Sequence, residues 1–283
     1  MILTPTSAKH FCENFSSTPS TLNCTVKEFI KKQSKTKRVY VEGSPEFSAL
    51  RDCLLREAER SIFFSNALYA NALRANREST GWWSHVTLYY SAFFAAQGLL
   101  AMHGGCLIDN KFWLEVTDPT IGAINLTVNR TVHPKLLAAH PGSTHKSFWK
   151  VFYWAVRSLY THAPNNLAFA LSPVQSSDSW LIDSRNEYNY QTPKALKSLT
   201  EFINTYDSTK LPGSLPRHLV VMDNVAYALR ELAARWRGSY NLTSDVLTNI
   251  YPTLQIALDM MVKNDRDTAL DALATTRLQL LHV

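Results

Sequence analysis

Glycine is scarce, nine residues in a 283-residue chain, and alternating apolar and polar runs are missing over most of its length, which argues against an all-β fold. Cysteine is scarcer still. Cys12, Cys24, Cys53 and Cys106 are widely spaced with no CxxC pair, so the spacing offers no zinc site and free buried thiols are expected. No stretch reaches the ~18 consecutive apolar residues of a membrane span. The opening residues, "MILTPTSAKHFCENF", lack a charged segment followed by an apolar one, so a soluble cytoplasmic protein is expected. Also missing are a Gly-rich phosphate loop, HExxH, GxSxG and any paired-acid metal signature, which removes most familiar enzyme classes. No cofactor and no metal is expected.

What the chain does have is apolar mass. Hydrophobic residues make up 46%, with seven Trp, twelve Tyr and thirteen Phe, enough for a substantial aromatic core. The expected fold class is mainly α. The net charge of +6 and pI near 9.1 suit a polyanionic partner without demanding one. The densest positive run is "VKEFIKKQSKTKRVYV", in which Lys27, Lys31, Lys32, Lys35, Lys37 and Arg38 face a single acid, Glu28. It reads as a solvated arm or a peripheral helix and strand, with a phosphate-contacting arm as the functional alternative.

Helical period begins at Ser44, an N-cap ahead of Pro45 and Glu46, with Phe47, Leu50, Leu54, Ala58, Ile62 and Ser65 recurring at three and four residues. A second long helix runs from Trp82 to His103 and stops at Gly104 and Gly105. Small residues Ser91, Ala92, Ala95, Ala96 and Gly98 interleave with Phe93 and Phe94, so this helix is predicted to be central and approached from several sides. "FWLEV" and "GAINLTV", separated by "TDPT", predict an inserted β-hairpin. Thr144 then caps "HKSFWKVFYWAVRSLYTH", Thr192 with Pro193 starts another helix, and "STKLPGSLP" is a linker at residues 208–216. Two closing helices are predicted over residues 217–237 and 244–279. The expected organisation is a basic N-terminal arm over 1–44, a helical domain over 45–207 with an insertion at about 104–143, and a C-terminal helical extension over 217–283 packed on the same core.

One segment holds chemistry, "DSRNEYNYQTP". The permanently charged guanidinium of Arg185 suits a carboxylate or phosphate, Asn186 offers a donor and an acceptor, and Tyr190 can orient a phosphate or donate a proton. The structural alternative is a surface ion pair of Arg185 with Asp183 or Glu187 and half-buried tyrosine rings. His85 lies one turn from Tyr89 on the same helix face. His133, His140, His145 and His162 read as solvated loop histidines without ligand spacing. Arg230, Arg235 and Arg237 with Trp236 are explained as well by a helix C-terminus as by a nucleic-acid surface.

The central helix, "TLYYSAFFAAQGLL", and the segment "SRNEYNYQTPKALKSLTEFI" together resemble the HEPN superfamily of helical domains, over roughly residues 45–207. That family's signature is Arg, a polar residue and a His four to six positions after the Arg. The resemblance implies a HEPN-like helical bundle that dimerises across a basic cleft. It further implies metal-independent RNA cleavage or RNA binding in a prokaryotic defence or toxin–antitoxin system, with an antitoxin or other protein partner. It assigns Arg185 as phosphate clamp and Asn186 as orienting residue, with Glu187 and His85 in support, while the basic run of Lys31, Lys32, Lys35, Lys37 and Arg38 is the nucleic-acid contact expected from charge. Tyr190 stands where the family has His, and a phenol titrates near ~10 where imidazole titrates near ~6.5. A non-catalytic scaffold that binds nucleotide or a protein partner is the alternative expectation.

Overall fold

The computed structural model describes residues 2–13, 15, 25–33, 39–75, 81–108, 112–117, 124–129, 144–156, 159, 180–190, 193 and 217–242. Among them are seven helices: α1 (Pro5–Glu13), α2 (Val26–Lys32), α3 (Pro45–Ala75), α4 (Gly81–Met102), α5 (Thr144–Val156), α6 (Trp180–Tyr190) and α7 (Arg217–Ser239). Four short strands join them: β1 (Val39–Val41), β2 (Cys106–Leu107), β3 (Trp113–Thr117) and β4 (Asn125–Asn129). The fold is mainly α with a small antiparallel sheet, as the sequence leads one to expect. No helix among the described residues is long and apolar enough to cross a membrane.

The antiparallel pair α3 and α4 is the centre. Ser44 caps α3 as its sequence predicts, its Oγ accepting from the Phe47 amide at 3.2 Å. Two serines then tie the helices together: Ser65 Oγ donates to the Ser91 carbonyl at 2.7 Å and Ser91 Oγ returns a bond to the Ser65 carbonyl at 2.8 Å. Small hydroxyls that satisfy each other allow close backbone approach in a buried interface. Apolar on all sides, α4 touches α1, α3, α5, α6 and α7, which is where an apolar helix without a polar face must lie. Helix α7 packs on α3 and α4 and shares their core through Met222, Val225, Leu229 and Leu232. The predicted linker at 208–216 and helix at 244–279 lie outside the described residues.

The predicted hairpin is β3 with β4, Val116 opposite Leu126 and Trp113 opposite Asn129. It is the middle of a four-stranded sheet in the order β1-β4-β3-β2. The outer strand β1 pairs Tyr40 with Leu126, so the basic run forms the peripheral helix and strand that its sequence allows, α2 followed by β1. The described parts of residues 1–44 are not a free tail. Ile2, Leu3, Ala8, Phe11, Val26 and Tyr40 are buried, and the Leu3 amide donates to the His103 carbonyl at 3.0 Å. A charge count over the whole segment hid these few apolar anchors.

Helix α4 ends as predicted at Gly104. Gly105 N–H bonds to the Leu100 carbonyl at 2.9 Å and Gly104 N–H to that of Ala101 at 3.0 Å, the paired closure of a Schellman motif. Gly104 has φ +78°, and a Cβ there would meet Val116 Cγ2 at 2.4 Å. Gly104→Ala is expected to destabilise the fold by about 2 kcal/mol, combining left-handed backbone strain with overpacking. Gly43 is the control: it has φ +86° with open space around it. Urea denaturation of Gly43→Ala and Gly104→Ala should therefore differ by the Val116 clash alone, and equal losses would remove that contact as a cause.

Candidate functional site

Helix α6 lies on α4 and turns Leu181, Ile182 and Arg185 inward. The first two are ordinary core residues at helical spacing. Arg185 follows the same face, so the chain's register drives a guanidinium into an aromatic wall. It is only 8% exposed, and its Cζ lies 5.3 Å from the Tyr89 ring centroid, 5.9 Å from Tyr90 and 5.9 Å from Tyr190.

The ion pairs considered for Arg185 do not form. Asp183 faces outward and meets Lys146 of α5 at 3.7 Å. Among the described residues Arg185 has no carboxylate partner, and its buried Nε has no hydrogen-bond acceptor. Cation–π contacts contribute roughly 0.5–2 kcal/mol each, and these sit near the outer limit of that range. Taking an ion out of water costs several kcal/mol. The rings cannot offset that, so the pocket stays electropositive and an oxyanion would complete it.

A second group meets the same tyrosines. His145, in the first turn of α5, places Nδ1 2.9 Å from Tyr89 Oη, and Trp149 Nε1 donates to that oxygen at 3.1 Å. The imidazole lies 5.9 Å from the Tyr89 ring, 5.8 Å from Tyr90 and 4.5 Å from Phe93. Burial pushes the Tyr89 phenol up to about 12, against the opposing pull of the Trp149 bond and the Arg185 charge. Burial also holds His145 below its ordinary value, and the Arg185 charge pushes it the same way. His145 is therefore a half-buried member of this cluster, which corrects its reading as a solvated loop residue. The signal was present, because His145, Phe148, Trp149 and Phe152 share one helix face at i, i+3, i+4 and i+7.

The other sequence candidates divide. His85 is brought to α6: its Nε2 is 2.9 Å from Ser184 Oγ and its ring 4.0 Å from that of Tyr188. Asn186 and Glu187 are half-buried next to Arg185, while Tyr190 is 71% exposed. Lys31 and Lys32 are exposed on α2, whose Thr25 and Glu28 form a capping box. The structure does not bring them to Arg185. Val26 bonds to Glu57, and at 1.5 Å per residue Glu57 lies about 12 Å along α3 from Ser65. Lys35, Lys37 and Arg38 lie outside the described residues, as do His133, His140 and His162.

The arginines of α7 are mostly structural. Arg230 bonds Asn66 at 2.9 Å and covers the Tyr69 ring at 4.2 Å, while Arg237 lies 4.0 Å from Glu59. Trp236 stacks on Tyr240 at 5.3 Å, leaving Arg235 as the exposed member of the group. No three His, Cys, Asp or Glu among the described residues stand close enough to share a metal ion. A cleft of about 440 Å³ opens between Lys27, Arg60, Phe64, Phe94, Gln97 and Cys106. It holds none of the residues assigned to catalysis from the sequence, and the unbalanced charge that calls for a ligand is at Arg185.

Comparison with protein-family models, with curated proteins and with solved structures gave no match.

Proposed function

We propose that this chain is a HEPN-like RNA-binding effector or metal-independent endoribonuclease of a prokaryotic defence or toxin–antitoxin system. It works in the cytoplasm as a homodimer, with an antitoxin or other protein partner. The observation that carries the reading is Arg185: a guanidinium 8% exposed, walled by three tyrosines and without a carboxylate among the described residues. A phosphodiester supplies the missing negative charge. Asn186, the next residue on α6, orients the phosphate. Where cleavage follows, the ribose 2′-oxygen gives its proton to water and attacks phosphorus, and the bond from phosphorus to the 5′-oxygen breaks. The products are a 2′,3′-cyclic phosphate and a 5′-hydroxyl that takes its proton from water, while Arg185 stabilises the charge that builds on the non-bridging oxygens.

Tyr190 takes a different part from the proton donor that its place in the signature implies. Its ring stands mostly in solvent beside the guanidinium, a geometry suited to stacking a base, worth about 1–3 kcal/mol. The same feature favours the second reading, a module that holds RNA or a nucleotide without cutting it. Tyr190→Ala is expected to weaken single-stranded RNA binding about tenfold and Tyr190→Phe by less than about twofold. An end-labelled single-stranded RNA incubated with the protein in EDTA separates the two readings. Cutting that disappears in Arg185→Gln supports the nuclease, and retention without cutting supports the binding module. Absence of any Arg185-dependent binding overturns both.

A further inference from the structure

The hydrogen bonds around Tyr89 fix the state of His145. Trp149 Nε1 carries a hydrogen and can only donate, so Tyr89 Oη accepts from it at 3.1 Å. The hydroxyl's own hydrogen then has one partner among the described residues, His145 Nδ1 at 2.9 Å. Nδ1 therefore accepts, and the single proton of the neutral imidazole resides on Nε2. A doubly protonated ring would direct a second N–H at an oxygen already receiving one and leave the phenol hydrogen without a partner. Burial and the Arg185 charge oppose that state as well.

Nε2 has no hydrogen-bond partner among the described residues, and it is not sealed from solvent in this half-buried side chain. The same holds for the Nη atoms of Arg185, whose buried nitrogen without a partner is Nε. Both groups meet the same two rings. Arg185 Cζ lies 5.3 Å from Tyr89 and 5.9 Å from Tyr90, and the His145 ring lies 5.9 Å and 5.8 Å from them. Two unsatisfied donors, one charged and one neutral, thus open beside one tyrosine pair. We propose that His145, fixed by Tyr89 and Trp149 as its Nε2–H tautomer, is the second hydrogen-bond donor to the oxyanion held by Arg185. The proposal rests on the phosphate reading of Arg185 and assigns a binding residue from α5 that the signature on α6 does not contain.

The test pairs a tautomer measurement with a substitution series. Long-range proton–nitrogen NMR of the ring, assigned by its loss in His145→Gln, should show an Nε2–H imidazole at neutral pH that shifts in Tyr89→Phe. An Nδ1–H ring or an imidazolium would overturn the proposal whatever the protein binds. Binding is then read with a 2′-O-methyl single-stranded RNA, which cannot be cut. Glutamine places an amide N–H where Nε2 was, so His145→Gln is expected to bind within about threefold of wild type. Asparagine keeps only the contact toward Tyr89, so His145→Asn and His145→Ala should lose about tenfold. The reverse order, Asn tolerated and Gln not, would mean that His145 only supports Tyr89. Failure of the wider reading looks different: Arg185→Gln would then bind RNA like wild type, with the His145 tautomer unchanged. Dispersed NMR spectra of each variant confirm that it is folded.

Discussion

Arg185→Gln is expected to reduce RNA binding at least 30-fold while leaving the melting temperature unchanged or raising it slightly. The two halves come from one observation, a buried guanidinium with three rings around it and no carboxylate among the described residues. Removing one partner of a desolvated charge pair in a complex costs about 2–5 kcal/mol, and glutamine retains the donor chemistry but not the charge. In the free protein the same substitution takes away a largely desolvated charge, and with it a desolvation cost of up to several kcal/mol. The lost ring contacts, at most about 2 kcal/mol each, pull the other way. Arg185→Lys keeps the charge without the planar fork and is expected to lose about tenfold in binding. Fluorescence anisotropy with labelled single-stranded RNA gives the affinities and a thermal melt gives the stability. A fall in melting temperature with binding intact would return Arg185 to a structural role.

Much of this site is legible in the sequence. Arg185, Asn186 and Tyr190 share one short helix, and Leu181 and Ile182 of that helix turn inward on the same face as Arg185. His85, set beside the signature by the family resemblance and one turn from Tyr89, reaches α6 through Ser184. The caps of α3 and α4 were legible for the same reason, because Ser44 and Gly104 act on backbone groups within a few residues. What sequence could not supply is pairing across distance. His145 and Tyr89 are 56 positions apart, so the helix face that His145 shares with Phe148, Trp149 and Phe152 turns it inward without naming the phenol it bonds. The same limit applies to β1: a peripheral strand is a reading of that run, but its partner Leu126 is far along the chain. Asp183 is the reverse case. It is close enough in sequence to invite an ion pair with Arg185, yet the helix turns it outward to Lys146.

Acid should destabilise this protein through His103, a residue that plays no part at the candidate site. The ring is fully buried at the end of α4, with Nδ1 2.7 Å from the Leu99 carbonyl and Nε2 2.8 Å from Tyr240 Oη. A carbonyl only accepts, so Nδ1 carries the proton and Tyr240 donates to Nε2. Protonating Nε2 would reverse the Tyr240 bond inside the core and strand a charge without water. Burial accordingly pulls His103 from 6.5 down to about 4, against the bond to Leu99. An unfolded chain protonates this imidazole near pH ~6.5, so between pH ~6.5 and ~4 the unfolded state binds the extra proton. Stability is full above that window and falls as pH drops through it, by about 3 kcal/mol in all. His145, also held low, adds a loss of the same sign, whereas Glu57, held high by burial, contributes in the opposite direction. His103→Gln isolates the effect, because the amide keeps one donor and one acceptor but cannot take up a proton. The variant is expected to be about 1–2 kcal/mol less stable at neutral pH and to approach or overtake wild type near pH 4. Urea melts at pH 7, 5.5 and 4.2 read this directly. Parallel pH slopes for the two proteins would show that the buried imidazole is not the group that titrates.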